Sequence, residues 1–439
     1  MQIAGPSMRI AALSMTTIPS EHKRLPGFLI VLLVLIGVSV FINYIDRGNL
    51  SIAASMVQDE MHINPAQLGV LLSAFFWTYA LLQPLYGWLA DRVNVYYLFA
   101  VCFAAWSVAT AATGLVHTFV ALFALRLIVG MGEAVSFPAY SKIIALNYPE
   151  EHRGVANSVL AMGLAVGPGF GILLGGTLMA RFGWRPFFII LGLGSMLWIP
   201  LWLKWSPSRN LVPASSKQSS PSLLEFVCLR SAWGSCIGLF CGNYVNYFLL
   251  TWLPYYLLRE RHFSMAQMAR IGATGYFGGA VCAGIAGWLS DRWIRSGATT
   301  TVVRKTFVAG GYVSCATFLA LAAFVPGARG STILLWLAMA SFGVSASNIW
   351  AIPQTLAGSQ AAGRWVGFQN CSGNMAGVVV PVVTGFVVRQ TGSFRSAFVS
   401  VAVVLCIGAA TWTFVVGKIE QVKWERSAEL LVAEASASR

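Results

Sequence analysis

The chain has 439 residues, 57% hydrophobic and 10% charged, with a formal net charge of +14. A soluble domain carries about 25% charged residues, so this composition excludes a soluble protein and leaves lipid as the solvent, in which helices satisfy their own backbone hydrogen bonds. The positive excess reads as membrane anchoring rather than a nucleic-acid footprint, and the eight cysteines show neither metal-ligand spacing nor a disulfide framework.

Residues 1–25 are mixed and polar, carry no cleavable leader, and read as a cytoplasmic tail. Apolar stretches of spanning length, about 20 residues each, follow at roughly 28–56, 66–90, 95–115, 118–146, 154–180 and 185–204. The segment 206–229, rich in Ser and Pro, reads as a linker. Six further spans fall at roughly 230–257, 267–290, 305–325, 331–357, 364–388 and 394–416, before a tail at 418–439. The expected fold is all-α: twelve transmembrane helices in two six-helix bundles, 26–205 and 230–417.

Two internal echoes support the division. GWLADR at 87–92 returns as GWLSDR at 287–292, and Gly183 and Arg185 of RFGWRPFF correspond to Gly392 and Arg395 of QTGSFRSAF. Parallel repeats of this kind are the pattern of rocker-type transporters with a central site. Asp91 and Arg92, like Asp291 and Arg292, can cap neighbouring helix ends and read as a conformational latch. With the N-terminus inside, 18 of the 29 Lys and Arg residues fall on the inner side and 8 on the outer, which orients both termini to the cytoplasm.

Charge inside a membrane is costly and usually functional. Asp46 and Glu133 are the acids well inside a span, accompanied by Arg47 and Arg126, and all four belong to the first and fourth spans. At 1.5 Å per residue, Asp46 and Arg126 lie at similar depth and are placed to pair, with Glu133 on the face that carries Arg126. An Arg in low dielectric grips a carboxylate through paired hydrogen bonds. A nearby carboxylate repels that anion or occupies the Arg, and protonation removes both effects. Proton and anion would then bind cooperatively. The plain alternative is a buried ion-pair network that fixes helix packing. All five histidines lie in tails, loops or span ends, so carboxylates are the expected proton carriers.

Polar residues recur at helical spacing elsewhere: Tyr44 beside the first-span charges, Tyr79 with Gln83, Asn243 with Tyr247, Trp350 with Gln354, and Asn370 with Asn374. Amides and phenols suit a hydroxylated ligand, and they also suit helix-to-helix hydrogen bonding. The seventh span contains no Lys or Arg between 231 and 257, which favours a carboxylate over a phosphate ester.

FINYIDRGNLSIAA (41–54), GWLADR (87–92), RLIVGMGEAVSFPAYSKIIALNYPEEHRG (126–154) and GSFRSAF (392–398) resemble the major facilitator superfamily, closest to its anion:cation symporter family. That family includes bacterial hexuronate, galactonate and glucarate transporters. The resemblance implies a substrate-carboxylate role for Arg47, proton coupling for Asp46 and Glu133, a partner role for Arg126, and lining roles for Tyr44 and Tyr79. Two features depart from the pattern. Val93-Asn94-Val95-Tyr96-Tyr97 replaces the usual Gly and basic residues after Asp-Arg, and Leu164 and Leu239 stand where sugar-acid members tend to show Gln. The second departure points away from galactonate, toward another sugar acid or a less hydroxylated acid.

The expected protein is a proton-driven symporter of a small organic anion, working by alternating access. Tyr247, Trp350, Gln354, Asn370 and Asn374 complete its expected substrate lining. An anion exchanger and a sodium-coupled carboxylate transporter are the alternatives. The expected partners are the anion, protons and the lipid bilayer, with no cofactor, metal or nucleic acid, no catalytic activity, and a monomeric state in a bacterial inner membrane.

Overall fold

The computed structural model describes residues 26–148, 150–207 and 228–422. The tail 1–25, most of the linker 206–229 and most of the tail 418–439 lie outside the described residues. Twelve membrane-spanning helices follow in succession among the described residues. The first six are α1 (Gly27–Met61), α2 (Pro65–Arg92), α3 (Val95–Thr113), α4 (Phe119–Ile144), α5 (Glu150–Phe182) and α6 (Trp184–Trp205). The last six are α7 (Arg230–Arg259), α8 (Met265–Arg295), α9 (Thr300–Phe324), α10 (Ala328–Gly358), α11 (Trp365–Thr391) and α12 (Arg395–Val415). Eleven are apolar enough to cross a bilayer on hydropathy alone; α8 falls short. Its 31 residues carry Arg270, Asp291, Arg292 and Arg295, and its interior is rich in Gly and Ala. Those small residues permit close approach to neighbouring helices, where Gly272 meets Ile172 of α5 and Gly279 meets the Met339 carbonyl of α10.

The repeat extends into the local geometry at an offset of 200 residues. His62 ends α1 with φ 52° and His262 follows α7 with φ 55°. Asn64 with Gln67, and Ser264 with Gln267, form matching capping boxes at the starts of α2 and α8. GWLADR and GWLSDR end the same two helices.

Three helices are interrupted. The fourth span consists of two pieces, Phe119–Glu133 and Ser136–Asn147, instead of one continuous helix. Pro138 explains the break, since it cannot donate to the carbonyl of Ala134. The break falls directly after Glu133, buried in protein where irregular backbone is tolerated in a membrane. Pro200 acts alike in α6, which divides at Leu197. The last helix closes in a π turn at Thr411–Val415.

The helices alternate in direction, so one end of the molecule carries the α1–α2 turn (the distal end) and the other carries the first described residues (the proximal end). Among the described residues, three pairs make the main joints between the first six helices and the last six. α1 meets α7 where Ser51 Oγ donates to the Leu250 carbonyl at 2.7 Å. α5 meets α8 through Gly176 on Ala269. α2 meets α11 at Gly69, where a Cβ would overlap the Pro381 carbonyl, so only glycine allows this approach. All of these lie toward the distal end. One apolar core runs through both halves there, including Leu50, Phe76, Tyr247, Leu250 and Phe398. The proximal core of Leu32, Phe99, Phe103 and Trp202 belongs to the first six helices alone. Met162 continues the α5 face of Gly176, Ile172 and Gly169 proximally and is 63% exposed. Around Gly87, near the proximal end of α2, a Cβ would meet nothing within 4 Å. Among the described residues, the halves are closed distally and parted proximally.

Candidate transport site

The four intramembrane charges converge at mid-depth in the first six helices, each at least nine-tenths buried. The ion pair forms between Arg47 and Glu133, with Nε to Oε2 at 3.3 Å. Asn43 Nδ2 donates to the same Glu133 oxygen at 2.8 Å. Asn43 and Arg47 are four apart on α1, so both reach α4 from one helix face. In the sequence Asn43 belongs to the polar run beside the first-span charges, and its spacing to Arg47 carries the signal for this shared contact.

Aromatic rings fix the Arg47 guanidinium. Its carbon lies 4.7 Å from the Tyr44 ring centre and 4.3 Å from that of Tyr79. Phe75 stands beneath both arginines, 5.6 Å from Arg47 and 5.3 Å from Arg126. Rings at these distances attract a guanidinium without neutralising it. Nη2 of Arg47 is buried and has no hydrogen-bond partner. Nη1 donates to the Tyr44 hydroxyl at 3.5 Å, so among the guanidinium nitrogens Nη2 is the one left available.

Asp46 and Arg126 form a second group behind this pair. Arg126 lies within Coulombic reach of Asp46 and Glu133, yet its Nε has no hydrogen-bond partner, and neither has either Asp46 oxygen. The sequence placed Asp46 to pair with Arg126, whereas Glu133 takes its hydrogen bonds from Arg47 and Asn43. Adjacent residues on a helix point about 100° apart, so the orientation of α1 decides which of Asp46 and Arg47 reaches Glu133.

From the last six helices, Tyr247 reaches toward the cluster. Its ring centre is 4.5 Å from that of Phe76, and it lies within Coulombic reach of Arg47. Its hydroxyl donates to Asn374 Oδ1 at 2.5 Å, linking α7 to α11. Asn370 is half-buried one turn proximal to Asn374. Trp350 and Gln354 are exposed on α10.

The Gly-x-x-x-Asp-Arg segments sit at the proximal ends of α2 and α8. The Asp91 side chain lies outside the described residues. Arg92 stacks 4.0 Å over Trp88, and Arg292 lies 5.5 Å from the Trp288 ring centre. Asp291 lies within Coulombic reach of Arg304 at the proximal end of α9.

The chain belongs to the Major Facilitator Superfamily, whose family model matches residues 36–364. It is an integral, multi-pass membrane transporter and not an enzyme. It is 31% identical to the probable sulfoacetate transporter SauU of Cupriavidus necator, over 85% of this chain and 91% of that one. It is 30% identical to the hexuronate transporter of Bacillus subtilis, over 86% and 91%, and 29% identical to the D-galactonate transporter of Escherichia coli, over 89% and 96%. Among solved structures it shares the fold of a bacterial homolog of the human lysosomal transporter Spinster in its inward-facing and occupied conformation. The TM-score is 0.76 at 20% identity, covering 88% of this chain and 96% of that one.

Proposed function

We propose that this protein is a proton-coupled symporter of a small organic anion. The observation that carries the reading is the buried Arg47–Glu133 pair, in which Nη2 of the guanidinium has no partner. Two arginines and two acids make the cluster formally neutral when all are charged. An added anion would leave one uncompensated negative charge in low dielectric, which is expensive. Protonation of Glu133 restores neutrality and frees the Nε of Arg47 as well as Nη2, giving the paired donors a carboxylate or sulfonate prefers. Tyr44 and Tyr79 hold the guanidinium in place as Glu133 lets go.

The Lys and Arg bias supports both termini in the cytoplasm, and on that orientation the proximal opening is the cytoplasmic one and the conformation is inward-open. The relatives are named as a probable sulfoacetate transporter, a hexuronate transporter and a D-galactonate transporter, and each of those substrates bears an acid group of the kind an arginine binds. Uptake of labelled sulfonated acids and sugar acids into proteoliposomes, with and without an inward proton gradient, tests the proposal. It predicts that one such acid accumulates against its gradient and that Arg47→Ala abolishes uptake. Uptake indifferent to the proton gradient would contradict it.

A further inference from the structure

Behind the Arg47–Glu133 pair lies a polar group enclosed by α1, α3 and α4. Asn49 is one turn distal to Asp46 on the same face of α1 and fully buried, with neither side-chain polar atom partnered. Trp106 of α3 is also fully buried, and its Nε1 has no partner. Both lie at the Asp46 carboxylate, just outside hydrogen-bonding geometry. The charged and titratable groups facing Asp46 are Glu133 and Arg126, both on α4. The group is complementary in kind: Asp46 presents two acceptor oxygens, and Asn49 Nδ2, Trp106 Nε1 and Arg126 Nε present donors.

Buried polar atoms without partners are rare in folded proteins, and a concentration of them around one carboxylate calls for a physical reason. Packing does not supply one. Trp106 is fixed against Gly132, where a Cβ would touch its Cβ, and against Phe103 at 4.2 Å between ring centres. A phenylalanine would keep most of these ring contacts, though not the full volume of the indole. What indole adds is an N–H aimed at Asp46, and what Asn49 adds over leucine is an amide in the same place.

We infer that Asn49 and Trp106 are positioning residues for Asp46, presenting donors that hold its carboxylate when ionised and so set when it takes up a proton. The inference rests on the proton-coupled reading above. The anion meets Arg47, which points about 100° away from Asp46 around α1, so Asn49 and Trp106 act on coupling and not on substrate binding.

The test uses the full-length protein in proteoliposomes, with Trp106→Phe, Asn49→Leu and Asn49→Ser. Two quantities are read: counterflow of a transported acid at equal pH on both sides, and the pH profile of gradient-driven accumulation. Trp106→Phe and Asn49→Leu should leave counterflow within about twofold of wild type. Their accumulation profile should move to higher pH by about one unit, because a carboxylate that loses a donor holds its proton more tightly. Asn49→Ser, which keeps a donor, should recover part of the shift. Unmoved profiles in variants of a pH-responsive wild type would overturn this inference alone. Counterflow and accumulation lost together would assign the residues a packing role and overturn it as well. A wild type indifferent to pH would overturn the coupling reading, and this inference with it.

Discussion

Asp59 and Arg259 occupy positions 200 residues apart, the offset of the internal repeat, and they form an ion pair with each other across the two halves. Arg259 also donates to the Ser55 carbonyl of α1 at 3.2 Å. The neighbouring acid, Glu60, instead engages Arg185 and the Trp184 indole within its own half, at 2.8 Å each. The distal end of α1 is thus tied to both halves by consecutive residues. Separating the halves distally must break the Asp59 bond and can leave the Glu60 bonds intact.

Exposed ion pairs contribute at most about 1 kcal/mol, and such a change is worth about fivefold in a two-state population. Neutralising Asp59 or Arg259 should therefore shift the protein modestly toward the distally open state. Alkylation of a cysteine introduced at a distal contact such as Ser51 should rise about two- to fivefold in Asp59→Asn. The charge-swapped double variant Asp59→Arg with Arg259→Asp should restore the wild-type rate. Equal rates in all three proteins would remove this pair from the distal closure.

Gly69 and Gly385 let α2 and α11 approach to backbone contact at the distal end. Gly69→Leu has no space there and must separate the helices. The distal end should fail to close, so substrate entering from that side would not be released on the other. Transport should fall more than about tenfold while the purified protein stays folded, since the closed state loses packing that the open state never makes. Transport at the wild-type rate would contradict the close approach.

Arg47 combines a carboxylate contact with stacking against two tyrosines. Lysine keeps the charge and loses the planar fork and the stacking. Loss of one charge-assisted hydrogen bond and part of the cation–π attraction sums to about 2 kcal/mol or more. Arg47→Lys should raise the KM of counterflow by at least about tenfold. A KM within twofold of wild type would mean that Arg47 does not bind the substrate.

Tyr247 joins α7 to α11 through Asn374 and stands opposite Arg47. Tyr247→Phe removes one buried hydrogen bond and orphans Asn374 Oδ1, a change of about 1–3 kcal/mol. It should weaken substrate binding without altering the pH profile, because no titrating acid has been removed. Binding is read from the KM of counterflow, and a shifted pH profile would place Tyr247 in proton handling instead.

Much of this was legible in the chain. Apolar stretches pointed to twelve helices, although α8 falls short on hydropathy alone, and the low charge content made Asp46, Arg47, Arg126 and Glu133 stand out. The partner choice among those four was not legible, because depth along a span follows from counting residues while rotation about the helix axis follows from packing. The break after Glu133 had a local signal in Pro138 that a continuous apolar stretch concealed. The distal pairing of Asp59 with Arg259 needed the repeat offset and the meeting of α1 with α7 together. Trp350 and Gln354 share a helix face with each other, yet helical spacing says nothing about the neighbour which that face meets, and here they lie exposed.

The central claim is that Glu133 couples proton to anion through Arg47, and Glu133→Gln tests it most directly. Glutamine keeps the shape of a permanently protonated acid, so the variant should exchange labelled for unlabelled substrate in counterflow at near wild-type rates. It should also fail to accumulate substrate when an inward proton gradient is imposed. Gradient-driven accumulation by Glu133→Gln equal to that of the wild type would contradict the account.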